Sequence, residues 1–152
     1  MQRFIFYLTV LLSSTMMAQE SAELDAEQTI KTFFEGFHKG DTTLMKSVMM
    51  DKVLMQTVYK TQEGKDVLVT DEPGKLITAV ATRPADQKWE EKILGYSVQV
   101  DGNMANVWTP YEFWFNGNFS HCGVNSFQLF HDNGTWKIIY LIDTRRRQGC
   151  QD

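Results

Sequence analysis

A chain of 152 residues, 43% hydrophobic and 22% charged, has the composition of one globular domain with a core of its own. Its formal net charge of −4 excludes the basic footprint of a nucleic-acid binder. Two cysteines and three histidines fall at no zinc-ligand spacing, so neither a metal nor another cofactor is expected.

Residues 1–18 read as a secretory signal peptide: a positive Met1-Gln2-Arg3 start, an apolar Phe4 to Leu12 core, and a small, polar exit ending at Ala18. The apolar run of about nine residues is far below the ~20 that cross a bilayer, so no membrane segment is expected in the mature form. Residues 19–152 are then a single domain, periplasmic or secreted. Residues 19–24 read as a short acidic leader. Asp25 with Gln28 forms a capping box that predicts a helix start, and Ile30, Phe33, Phe34 and Phe37 share one stripe. Gly40 ends this helix. Asp41 caps a second, short helix carrying Leu44, Met45, Val48 and Met49. Val53 to Tyr59 reads as a strand, 60–71 as polar and irregular, and Pro73 as the first turn of a third helix reaching about Ala81. Arg83-Pro84-Ala85-Asp86 is a loop.

From about Trp89 to Arg147 the pattern alternates as four antiparallel strands. Asp101-Gly102, Asn116-Gly117 and His131-Asp132-Asn133-Gly134 are the turns. One face carries Leu94, Tyr96, Val98, Ala105, Val107, Phe113, Phe127, Leu129, Ile139 and Leu141. Tyr111, His121, Asn125 and Asp143 are set into it. An apolar wall with a few polar groups aimed inward is how a small-molecule pocket is built. The opposite face reads Trp108, Trp114, Val124, Phe130, Trp136, Ile138, Tyr140 and Ile142, a patch suited to a homodimer contact. Helices early and strands late make this an α+β fold, three helices packed on a strongly curved antiparallel sheet.

A three-residue loop at Asn116–Asn118 pairs Phe113 with His121 and Tyr111 with Gly123, whereas a two-residue loop pairs Phe113 with Ser120. Registering the last hairpin by Phe130 and Trp136 sets Gly123 opposite Asp143. Gly123, lacking a side chain, then either leaves room for a ligand or marks a bend. His121 and Asp143 become diagonal neighbours within hydrogen-bond reach. That pair either satisfies itself as structure or makes His121 a general base, with Tyr111 or Tyr96 polarising a carbonyl. Cys122 and Cys150 pair in an oxidising compartment, closing a loop of roughly 28 residues, or remain free thiols.

Three segments carry a family resemblance: Phe37-His38-Lys39-Gly40-Asp41, Ser120-His121-Cys122-Gly123-Val124-Asn125-Ser126-Phe127, and Asn133-Gly134-Thr135-Trp136-Lys137-Ile138 leading to Asp143-Thr144-Arg145. With the helix-first, strand-last order, the chain resembles the nuclear transport factor two-like superfamily, the cystatin-like cone shared with ketosteroid isomerase and the polyketide cyclases. Within it, the chain looks most like exported bacterial proteins of the lumazine-binding type. The resemblance implies that the inner face is the inside of a cone. Phe33, Phe37, Tyr96, Thr109, Tyr111 and Phe113 would line it, with His121, Gly123, Asn125, Asp143 and Arg145. It implies a binding protein for a small, apolar or ring-containing ligand. The alternatives are a cofactor-independent isomerase or dehydratase using His121 and Asp143, and a dimeric interaction module. Fold alone does not choose among them.

Overall fold

Helix α1 (Gln2–Lys39) turns the stripe of Ala26, Ile30, Phe33, Phe34 and Phe37 onto the sheet, and each of these side chains is buried. The computed structural model describes residues 2–150, with side chains from residue 19 onward, so the expected signal peptide at 1–18 lies outside the described side chains. The expected helix start at Asp25 is not observed. Helix runs through 19–24, because Gln19, Glu20, Ala22, Glu23 and Leu24 are good helix formers with no breaker among them. Gly40 takes φ +75° and closes the helix in the left-handed region that glycine reaches without strain.

Asp41 caps α2 (Thr42–Ser47), its carboxylate accepting from the Leu44 N–H at 2.9 Å. Strand β1 (Met49–Lys60) pairs antiparallel with β2 (Asp66–Asp71), a strand inside the stretch expected to be irregular. Its polar residues concealed it, because β2 is an edge strand with one face in water. Helix α3 (Pro73–Ala81) starts at Pro73 as expected.

The first of the expected late strands is two, β3 (Trp89–Ile93) and β4 (Ser97–Asp101), broken at Leu94-Gly95-Tyr96. Both pair with β5 (Met104–Phe115). Leu94, at that break, is exposed rather than inward-facing. Strands β6 (Asn118–Asp132) and β7 (Thr135–Arg145) complete the sheet, in the order β2-β1-β7-β6-β5-β3 with β4 beside β5. The sheet is mixed rather than purely antiparallel, because β1 runs parallel to β7. The three helices pack against this curved seven-stranded sheet, and Phe33 and Phe34 meet Phe127 edge-on at 5.8 and 5.9 Å. Fully burying a side chain such as Phe127 contributes roughly 1.5–3 kcal/mol.

Two bulges set the register. In the β5–β6 hairpin the turn is the two-residue Asn116-Gly117, with Trp114 opposite Phe119. Ser120 is then left over, so Phe113 still meets His121 and Tyr111 still meets Gly123. In the β6–β7 hairpin Gln128 pairs with Tyr140 and Leu129 with Ile138, leaving Ile139 unpaired. The turn before it pairs Trp136 with His131 rather than Phe130, a one-residue shift. Trp136 and Ile138, expected on the outer face, are therefore in the core, while Ile139, expected inside, is exposed. That turn and this bulge together move Asp143 opposite Asn125 rather than Gly123.

Cys122 and Cys150 form a disulfide. It ties the segment after β7 to the middle of β6, beside the Cys122–Arg146 bridge.

Candidate functional site

Between the helices and the inner sheet face lies a cavity of about 500 Å³. Phe33, Phe34 and Phe37 of α1 form one wall, and Trp89, Phe113 and Leu141 of the sheet form the facing one. Leu76 and Ala79 of α3 close a side, and Asp71, Glu72 and Lys75 stand at the rim. Polar groups gather at one end: Thr57, Glu91, Tyr111, His121, Asn125, Asp143 and Arg145.

Asp143 is the hub of that end. Thr57 Oγ1 donates to its Oδ1 at 2.6 Å, and Arg145 Nε to its Oδ2 at 2.7 Å. The Tyr111 hydroxyl lies 3.2 Å from Asp143 Oδ2 and 3.0 Å from the Thr144 carbonyl, sharing its proton between them. Burial, reinforced by Asp143, holds the Tyr111 phenol well above its ordinary range, so it acts as a donor.

Gly123 is tightly constrained. A Cβ there would lie 1.7 Å from the Thr144 carbonyl oxygen. That carbonyl has turned out of the β6–β7 ladder, and the Val124 N–H is met instead by Thr144 Oγ1 at 3.1 Å. The space left by the missing side chain is filled by backbone rather than kept for a ligand, and Gly123 does not line the cavity. Thr109 is also absent from the wall, fully buried beneath Asn125, whose amide donates to it at 3.3 Å. Tyr96 borders a separate shallow cleft beside α1, with its ring under the Lys31 ammonium.

His121 makes no hydrogen bond to Asp143. Its Nδ1 meets Ser120 Oγ at 3.1 Å, and its ring stacks on Phe113 with centroids 5.1 Å apart. Burial, with the Arg145 charge nearby, pushes its pKa down to about 4, so the ring is neutral at pH 7. The expected His121–Asp143 dyad is therefore not assembled. Asp143 has three closer donors, and the shifted β7 register gives it Asn125 as its cross-strand neighbour.

The acid-base group that sequence reasoning missed is Glu91. Its Oε1 accepts from Asn125 Nδ2 at 2.7 Å. Burial pushes its carboxyl up to about 7, against the Asn125 hydrogen bond and with the help of Asp143. Its strand is pinned by His38, whose Nε2 accepts from the Glu91 backbone N–H at 3.0 Å. That acceptor role needs a neutral ring, and burial lowers the His38 pKa in the same direction. A signal for Glu91 was present. Trp89, Glu91 and Ile93 alternate on one side of β3, so an inward Trp89 and Ile93 carry Glu91 inward too. Among the described residues, no group of three or more His, Cys, Asp or Glu side chains is placed to hold a metal ion.

No protein-family model and no curated protein matches the chain. Solved structures do. A candidate dehydratase of the NTF2-like family from Streptomyces avermitilis superposes with TM-score 0.63 at 14% identity, over 84% of this chain and 97% of that one. The fold is the nuclear transport factor two-like cone. An NTF2-like protein from Cytophaga hutchinsonii aligns at TM-score 0.60 and 17% identity, over 84% and 98% of the two chains. A candidate ketosteroid isomerase from Shewanella frigidimarina aligns at 0.57 and 13%, over 78% and 94%. At these identities the likeness establishes the cone alone, and the chemistry has to be argued from the cavity.

Proposed function

We propose that the protein binds a small, ring-containing ligand inside the cone, its apolar part against the phenylalanines and its polar part against Glu91, Asn125 and Asp143. The observation that carries this is the cavity of about 500 Å³, aromatic along its walls and polar at one end. Export fits the charged, apolar start of the chain and the Cys122–Cys150 disulfide, which belongs to an oxidising compartment. A homodimer through the outer sheet face fits the exposed Trp108 and Met104. Native mass spectrometry of protein purified from its own host tests the binding reading. A co-purified molecule that Phe113→Ala loses is expected. Protein that carries nothing and gains no thermal stability from any ring compound in a broad panel would sink it.

A second reading, a cofactor-independent proton-transfer enzyme, is favoured by one observation. Glu91 is an acid poised near 7 against the cavity, the property a general base needs. The names of the isomerase and dehydratase neighbours agree with it. On this reading Glu91, not His121, is the base. Glu91→Gln would abolish turnover with ligand affinity retained, whereas His121→Phe would leave turnover within a few-fold.

A further inference from the structure

The polar end of the cavity is unbalanced in charge. Asp71, Glu72, Glu91 and Asp143 border the cavity, against Lys75 and Arg145 as its cations. Both cations are taken: Lys75 meets Asp71 at 3.2 Å, and Arg145 meets Asp143 at 2.7 Å. Glu72 stands at the rim, but Glu91 is deep and has no counter-ion among the described residues. Among the described residues only its Oε1 has a protein donor, Asn125, and its Oε2 has none. From β7, Arg145 lends some opposing charge but is paired with Asp143, whose own charge repels that of Glu91. The other titratable groups facing it supply none. From α1, His38 offers a lone pair; from β6, His121 is neutral; from β5, Tyr111 is committed to Asp143 and Thr144. In the adjoining cleft Lys31 is held by Glu27 at 2.6 Å and Lys39 by Glu35 at 2.6 Å. Around this carboxyl stand Phe34, Phe37, Trp89 and Phe113, whose ring faces attract cations and repel anions.

Resting on the reading that the cavity holds a ring compound, we propose that this compound carries a protonated nitrogen, an arylalkylamine or a cationic nitrogen heterocycle, seated on Glu91 as its counter-ion. The ligand supplies the charge that the protein leaves out. Its ring packs between α1 and the sheet, and its N–H donates to the free Glu91 oxygen. A carboxylate or phosphate ligand would instead meet Glu91 and Asp143 in a desolvated site. Binding carries a proton balance. Where Glu91 holds its proton in the empty cavity, the arriving cation displaces that proton to solvent, and the ammonium–carboxylate pair replaces the neutral acid. With Glu91 poised near 7, about half a proton is released per ligand at pH 7, and almost none at pH 9.

Three probes of one shape test this by calorimetry: naphthylmethylammonium, naphthylmethanol and naphthoate. The ammonium should bind at least about tenfold more tightly than the alcohol, and naphthoate most weakly. Titration in buffers of different ionisation enthalpy should show the proton release. In Glu91→Gln the ammonium-to-alcohol ratio should fall to about one, and proton release should vanish. An alcohol that binds as tightly as the ammonium in the wild-type protein overturns the charge assignment and leaves the binding reading standing. If no probe binds, and no other ring compound does, both fall together.

Discussion

Replacing Gly123 with alanine should unsettle the fold and the cavity together. The added methyl would have to occupy a point 1.7 Å from the Thr144 carbonyl oxygen, 2.8 Å from the Thr144 carbonyl carbon and 2.9 Å from Tyr111 Cε1. Backbone atoms cannot rotate aside as a side chain can, so β7 must move off β6 by more than an ångström. That motion strains the reciprocal Cys122–Arg146 hydrogen bonds, both 2.9 Å, and pulls Thr144 Oγ1 from the Val124 N–H. Losing about two hydrogen bonds at ~1 kcal/mol each, with an overpacking cost of about 1–3 kcal/mol, gives roughly 3–5 kcal/mol of destabilisation. For a chain of this length that lowers Tm by roughly 10–15 °C. Urea unfolding followed by tryptophan fluorescence measures it, with Gly74→Ala as control, since a Cβ there meets nothing within 4 Å. The control should stay within about 1 kcal/mol of wild type. A Gly123→Ala protein equally stable would refute the claim that the Thr144 carbonyl owns that space.

Reducing the Cys122–Cys150 disulfide, or replacing both residues with serine, should cost about 3–4 kcal/mol, because the bridge closes a 28-residue loop of the unfolded chain. Paired urea melts with and without reductant read the difference, and no shift in midpoint would contradict it. Glu91 makes stability depend on pH. Its carboxyl is raised from 4.5 to about 7, so between those values the folded protein keeps a proton that the unfolded chain has released. Stability contributed by this group is therefore lost as pH rises through that window. Glu91→Gln has no such loss, so its stability relative to wild type should grow from pH 4.5 to about 7 and then level off, by at most about 3 kcal/mol. A difference independent of pH would show that Glu91 titrates normally.

The legible parts of this molecule were those written in local chemistry. Gly40, Asp41 and Pro73 punctuate helices by mechanisms confined to a few neighbouring atoms, and each is found doing so. Tyr111 does stand opposite Gly123, but by a different route from the expected three-residue loop: a two-residue turn and the Ser120 bulge together give the same register. The two bulges left no such mark. Whether Ser120 or Ile139 drops out of the ladder depends on partners across the strand, and alternation along one strand cannot report that. A one-residue shift at the last turn, which pairs Trp136 with His131 rather than Phe130, put Trp136 and Ile138 inside, and with the Ile139 bulge it gave Asp143 Asn125 as its neighbour. β2 was hidden because an edge strand wetted on one face reads like a loop. Glu91 was hidden by its company: within Trp89-Glu90-Glu91-Lys92-Ile93 one charged residue looks like the next until β3 is laid on β5 and parity separates them.

The parallel pairing of β1 with β7 sets the order of events in folding. Thr57 reaches Asp143 across 86 residues of chain, and the other groups around that carboxylate come from β5 and from β7 itself. The polar end of the cavity therefore has no partial form. A nascent chain stopped before residue 138 holds Phe33, Phe34, Phe37, Phe113 and Glu91, but neither the Asp143 hub nor Leu141 and Arg145. Such long-range closure places folding among the slower single domains, on a timescale of roughly milliseconds to seconds. Until the last strand docks, β1 and β6 each present an open edge, and the chain is then most exposed to pairing with the wrong neighbour.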